Sequence, residues 1–176
     1  MMHAANTEPE AAQMKIRRFR TEDEPAILSI LNQSIVERKV TAQLTPATME
    51  ARRGWFAMHS ARRYPIFVAE EGGDVLGWMA VTPYRGGREG FSKTCELSYY
   101  LDRNCRHQGI GSKLMAHALD ECRKLGYRHV LLIIFEHNQP SQGLARKFGF
   151  TVWGRFPNIV DIDDHIQDCL QMGRDL

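Results

Sequence analysis

Cysteine is scarce in this chain, and its spacing fits neither a bridge framework nor a closed metal site: Cys95, Cys105, Cys122 and Cys169 include no Cys-x-x-Cys pair. That excludes a disulfide-dense secreted scaffold and a zinc ribbon. Cys105 and His107 would make half of a metal site, but no second Cys/His pair stands at a suitable spacing, so both read as structural residues and no metal is expected. No run is long and apolar enough to cross a membrane, and nothing upstream has the make-up of a signal peptide, so a reducing cytoplasm is the expected compartment and no membrane partner is expected. Neither sign of charge dominates: 23 Lys and Arg face 21 Asp and Glu for a net +2. The pairs Arg17-Arg18, Arg52-Arg53 and Arg62-Arg63 are scattered rather than gathered into one block, which argues against a nucleic-acid partner.

What is present suits one mixed domain. With 176 residues, 43% of them hydrophobic, the chain can bury a single core. The expected organisation is a loose tail over residues 1–13, rich in Ala, Glu and Thr, followed by one domain over residues 14–176. Residues 15–20 alternate as a strand. Thr21-Glu22-Asp23-Glu24-Pro25 then supplies an N-cap, first-turn acids and a proline for a helix ending near Val36. Thr45-Pro46 predicts the start of a second helix, and residues 66–70 and 75–81 form a hairpin-like pair around Gly72-Gly73-Asp74. A glycine-rich loop over residues 83–93 leads into a strand over residues 94–101. Ile110, Leu114, Met115, Ala118, Leu119, Cys122 and Leu125 recur at helical spacing, and Gly126 stops that helix. Residues 130–135 read as a strand buried on both faces. After it come His137-Asn138-Gln139-Pro140-Ser141 and a helix ending in Gly149-Phe150.

The most informative stretch is Arg106-His107-Gln108-Gly109-Ile110-Gly111-Ser112, set between a strand and an amphipathic helix. Two glycines let successive N-H groups turn toward one point, and the helix adds its partly positive N-terminus, so a pyrophosphate would fit. A dinucleotide fingerprint would need a third glycine where Leu114 stands, and Gly111-Ser112-Lys113 has the wrong order for the ATP-type loop. The same residues would also serve an ordinary loop that caps a helix with glycine.

Arg-x-x-Gly-x-Gly here, with Asn138-x-x-Ser141 and Gly149-Phe150 downstream, resembles the GNAT superfamily of acetyl-CoA-dependent N-acetyltransferases. Within it the chain is similar to the phosphinothricin and methionine sulfoximine N-acetyltransferase group. That likeness rests on Asn32, Thr45-Pro46, Arg53 with Trp55-Phe56, Tyr64-Pro65-Ile66-Phe67-Val68-Ala69, Val75-Leu76-Gly77, Tyr84-Arg85, and Thr94, Glu96, Ser98 and Tyr100. The resemblance implies an α/β (α+β) fold with a central mixed, twisted sheet of about six to seven strands flanked by four helices. It implies acetyl-CoA as co-substrate, a small-molecule amine as acceptor and a homodimer. It also assigns roles: Glu96 as general base, Tyr84, Arg85 and Ser98 toward the acceptor, and Tyr99, Tyr100 and Leu101 along the pantetheine arm. Arg106, His107, Gln108, Gly109, Ile110, Gly111 and Ser112 would hold the pyrophosphate, with Asn138 and Ser141 on the coenzyme arm.

The chemistry gives those positions a reason. An ammonium must lose a proton before it attacks a thioester, and strand alternation puts Glu96, Ser98 and Tyr100 on one face where a carboxylate can take it. Glu96 could equally be a strand carboxylate paired with a surface cation. Where the group carries a histidine or tyrosine for the leaving thiolate, this chain has Ala145; His137 or Ser141 could stand in, as could nothing, since a thiol of pKa about 8.5 leaves without full protonation. Arg38-Lys39 and the acidic run Asp161-Ile162-Asp163-Asp164-His165 also depart from the group. The cations could clamp an acceptor carboxylate with Arg85; the acids could draw a cationic amine or be a solvated turn. The expected activity is acetylation of an amino acid or analogue. Acetylation of a polyamine, protein N-terminus or lysine, and a catalytically silent acyl-CoA-binding module, remain alternatives.

Overall fold

The computed structural model describes residues 13–59 and 62–176. The expected tail therefore lies, Gln13 apart, outside the described residues. Seven strands form one sheet in the order β1-β2-β3-β4-β5-β7-β6: β1 Lys15–Arg18, β2 Ile66–Glu71, β3 Asp74–Pro83, β4 Thr94–Leu101, β5 His129–Phe135, β6 Thr151–Ile162 and β7 His165–Asp175. Four α-helices accompany them among the described residues: α1 Glu24–Glu37, α2 Met49–Met58, α3 Ile110–Lys124 and α4 Gln139–Lys147. All pairings are antiparallel except β4 with β5, which the α3 crossover makes parallel. The sheet is thus mixed, as the resemblance implied.

Each face of the sheet has its own core. The stripe Ile110, Leu114, Met115, Ala118, Leu119 and Cys122 is buried, as its spacing predicts, against Phe67, Met79, Leu97, Val130 and Leu132. On the opposite face Ile27, Ile30, Leu31 and Ile35 of α1 and Phe56 of α2 pack on Val68, Trp78 and Ala80. Trp78 is the keystone of this second layer: its indole Nε1 donates to Ile27 O at 3.0 Å, and its ring lies 5.7 Å from Trp55 and 5.0 Å from Tyr100. Trp78→Ala is expected to cost about 3–5 kcal/mol in urea unfolding, because it empties a packed site and removes the indole's bond to Ile27 O.

Several boundaries differ from the sequence expectations. The first helix begins at Glu24 behind a short 3-10 turn over Thr21–Asp23. There Asp23 spends its carboxylate on Arg17, at 2.7 and 2.9 Å, and on the Arg20 amide. The second helix starts at Met49, not at Thr45-Pro46, since Thr48 is the residue whose side chain accepts from the Ala51 amide. Residues up to Ala47 run as a connection stapled to α1, where the Asn32 amide both donates to Ala47 O and accepts from Ala47 N. The strand at β5 is not buried on both faces throughout: Ile133 is 47% exposed, because α1 and α2 cover only the β1–β4 half of that face. The acidic run turns the β6–β7 hairpin, with Asp163 and Asp164 at φ 51° and 66°.

Candidate active site

The site begins with a defect in the sheet. β4 and β5 pair only at Thr94↔His129, Cys95↔Val130 and Glu96↔Leu131, although β4 continues to Leu101 and β5 to Phe135. Beyond the last pair the strands part, leaving backbone N-H and C=O groups along the edge of β4 that faces β5 without a strand partner. Each unmade backbone bond is costly when buried, so a groove like this is suited to an extended ligand that can bond to main chain.

The split holds a cavity of about 330 Å³. Leu97, Ser98, Tyr99, Tyr100 and Leu101 line one side of it, so side chains from both faces of β4 reach the same space. Ile133 and Ile134 line the other side, α4 contributes Asn138, Ser141 and Leu144, and Arg106 and His107 close one end. Ser34 and Val40, which sequence reasoning missed, complete the wall from α1 and its following connection. A serine at helical spacing with Ile27, Ile30, Leu31 and Ile35, and buried with them, was the available signal for Ser34. Asn138 caps α4, its Oδ1 accepting from the Ser141 amide at 3.2 Å, and Tyr99 and Ser141 both line the cavity. Burial pushes both the Tyr99 and the Tyr100 phenols up. His137 lies outside this lining, its Nε2 on Lys39 O at 2.9 Å.

At the mouth, His107 at φ 63° and Gly109 at φ 78° put two left-handed residues one apart, the backbone alternation that turns amides toward a common centre. The amides of Ile110, Gly111 and Ser112 follow in the first turn of α3, where the helix offers them no acceptor. The side chain of Ile110 points into the core, 2% exposed, so only its main chain is available to a ligand. Lys147 of α4, not singled out in the sequence, reaches Ser112 Oγ at 3.3 Å and adds positive charge. The Arg106 guanidinium is held by Glu37 at 2.9 and 3.1 Å.

Glu96 lines neither this cavity nor a second one of about 280 Å³, yet it sits between them. On its face of β4, Ser98 borders the first space and Thr94 the second, and its pairing partner Leu131 borders the second. No ion pair to Glu96 occurs among the described residues, so it is not the surface-paired strand carboxylate that was its other reading. Burial holds its carboxyl above the usual carboxylate range. Tyr84 borders the second cavity, and Arg85, at φ 52°, stands beside it with its guanidinium 5.6 Å from the Tyr84 ring. Arg38 pairs with Asp163 at 3.2 Å and donates to Leu44 O, so one of the cations and one of the acids that depart from the group meet each other. Among the described residues no three His, Cys, Asp or Glu side chains gather as a metal would require. No helix among the described residues is long and apolar enough to cross a membrane.

This architecture has known counterparts. YwnH of Bacillus subtilis (strain 168), provisionally named a phosphinothricin acetyltransferase, is 40% identical over 93% of this chain and 99% of its own. The L-methionine sulfoximine/L-methionine sulfone acetyltransferase of Pseudomonas aeruginosa is 32% identical over 78% of this chain and 80% of its own. A phosphinothricin acetyltransferase from Sinorhizobium meliloti, solved in complex with acetyl-CoA, superposes with a TM-score of 0.87 at 26% identity, over 93% of this chain and 88% of that one. Residues 28–150 match the Acetyltransferase (GNAT) family, and by that match and these relatives the chain belongs to it, an acetyl-CoA-dependent acetyltransferase.

Proposed function

We propose that this enzyme transfers the acetyl group of acetyl-CoA to the primary amine of a small molecule, an amino acid or analogue, with Glu96 as general base. The observation that carries the reading is the position of an unpaired, half-buried carboxylate at the junction of two cavities, where the strands part. The activities named for the phosphinothricin and methionine sulfoximine relatives support an amino-acid-like acceptor.

Acetyl-CoA supplies a thioester acyl donor, and the groove fits its shape: an amide cradle at residues 106–112, then unpaired main chain on β4, then Glu96. In this reading the amides of His107 through Ser112 hold the diphosphate. The main chain at Tyr99, Tyr100 and Leu101 bonds the pantetheine arm and offers an N-H to the thioester oxygen, while Asn138 and Ser141 flank the arm. Glu96, directly or through one water, takes a proton from the acceptor ammonium, and its raised pKa suits a base working near neutral pH. Tyr84, Arg85 and Ser98 orient the acceptor, Arg85 through its carboxylate. Tyr99, kept protonated by burial and lining the same cavity, is the hydroxyl available to the departing sulfur in place of a group at Ala145. Tyr99→Phe is expected to lower kcat by about tenfold while leaving KM for acetyl-CoA near the parent value, a modest effect because a thiolate leaves unaided.

Residues 14–176 would act as one domain in the cytoplasm and as a homodimer. Ile159 and Ile166 on the β6–β7 hairpin, 62% and 55% exposed, support the association. Thiol release from acetyl-CoA, measured against amino acid analogues, polyamines and short peptides, tests the proposal. Turnover restricted to amino-acid-like amines is expected. Turnover of polyamines or peptides alone would move the acceptor class, and coenzyme binding with no turnover would make the protein a silent module.

A further inference from the structure

The second cavity has a construction that the transfer step alone does not explain. Its walls are the rings of Tyr84, Phe91 and Trp153, with Thr94 and Leu131 beneath them. Tyr84 and Phe91 meet edge to face at 5.3 Å. Trp153 stands on a β-bulge, where pairing passes from Val152↔Met172 straight to Gly154↔Gln171 and leaves the tryptophan without a partner. That extra residue turns the indole over Gly173 so closely that a Cβ there would lie 2.3 Å from the ring. The indole Nε1 donates to Thr151 Oγ1 at 3.1 Å, so a side chain 50% exposed is nevertheless held in one place. Fixing an exposed indole costs side-chain entropy, and the cost is offset where the ring serves as a wall.

Two of the polar groups on these walls already have partners. The Trp153 N-H donates to Thr151, and His129 Nδ1 lies 2.7 Å from Asp175 Oδ1 at the rim. What the cavity offers a ligand is chiefly the ring faces of Tyr84, Phe91 and Trp153 and the Leu131 side chain. At about 280 Å³ it exceeds the apolar cavity of roughly 150 Å³ that takes up benzene. It also opens next to Glu96, since Thr94 lies two residues before that carboxylate on the same face.

From this geometry we infer that the second cavity receives the side chain of the acceptor, and that the acceptor is a primary amine carrying an aromatic ring. The inference rests on Glu96 marking where the amine sits. With the acyl arm in the first cavity, the second cavity is the other space that borders the strand on either side of Glu96, and an acceptor side chain is assigned to it. An α-carboxylate, if the acceptor carries one, falls to Arg85.

The test compares kcat/KM for L-phenylalanine, L-tryptophan and phenylethylamine with that for L-alanine, L-methionine and butylamine in the intact enzyme. Aromatic acceptors are expected to lead their aliphatic counterparts by about tenfold or more. Within the aromatic arm, a lead of the amino acids over phenylethylamine reports the carboxylate contact. Trp153→Ala is expected to collapse the aromatic-to-aliphatic ratio at an unaltered KM for acetyl-CoA. Gly173→Ala, which keeps the indole but lifts it from its seat, is expected to do the same in part. Equal use of both acceptor classes, no turnover of any aromatic amine, or a Trp153→Ala variant that keeps the parent ratio overturns the inference. Failure of the Glu96 reading shows separately, as Glu96→Gln turning over these acceptors at the parent rate.

Discussion

Glu96→Gln is expected to lower kcat by about 10²–10⁴-fold, the usual worth of a positioned general base, and to leave the folded protein at least as stable as the parent at neutral pH. Both halves follow from one fact, the burial of an unpaired carboxylate. The parent rate should rise with pH as Glu96 ionises, at a value above the ordinary 4.5, and the variant should lose that limb. For stability the sign is the reverse. A carboxyl whose folded pKa is raised stabilises the fold fully below its unfolded value, and that contribution is lost as pH rises through the folded pKa. At neutral pH the buried charge is therefore a burden that the neutral amide removes. A rate profile paired with thermal melts across pH 4–8 checks the two together. A variant that loses activity and melts earlier by several degrees at neutral pH would make Glu96 a structural residue.

Gly109→Val should abolish tight coenzyme binding. Nothing lies within 4 Å of where the added Cβ would sit, so the damage is not a clash; it comes from φ 78°, which a β-branched residue adopts only under strain. Relaxing that strain turns the neighbouring amides away from their common centre. Loss of about two hydrogen bonds to a charged group, at roughly 1.5–3 kcal/mol each, corresponds to an affinity for acetyl-CoA reduced by about 10²–10⁴-fold. Calorimetric titration reads this directly. An affinity within threefold of the parent, about 0.6 kcal/mol, would remove the diphosphate from this loop.

How far the sequence reached depended on what kind of force places each residue. The stripe on α3 and the alternation of β4 are local patterns set by burial, and Ile110, Leu114 and Met115 lie buried where their spacing put them. The glycine loop was legible because only certain residues tolerate its backbone, although the left-handed His107 was not, since nothing in a histidine's chemistry announces φ 63°. The long β6–β7 hairpin was not foreseen as strands. Pro157, Gly154 and the acids at positions 161, 163 and 164 break the alternation, and its pairing relies on bulges at Trp153 and between Phe156 and Val160. The start of α2 was misplaced because two threonines three residues apart, Thr45 and Thr48, can both cap a helix, and Asn32, distant in sequence, ties down the residues between them.

The candidate site was legible as a set of residues but not as a shape. The sequence singled out Tyr84, Glu96, Ser98, Asn138 and Ser141, yet the parting of β4 from β5 after Glu96 is a tertiary event that no local pattern records. Because of that event Glu96 falls between two spaces rather than inside one. Trp153 and Gln171 escaped notice for the same reason, as they come to the second cavity only through the pairing of β5 with β7 and of β7 with β6.

A crystal structure with acetyl-CoA bound tests the central claim most directly. The diphosphate should lie within hydrogen-bond reach of the amides between His107 and Ser112. The pantetheine should run between β4 and β5 on the free main chain of Tyr99 to Leu101, and the thioester should end beside Glu96. A coenzyme seated outside the cleft between β4 and β5, or a thioester that stops short of that carboxylate with the acceptor cavity on its far side, would contradict the account.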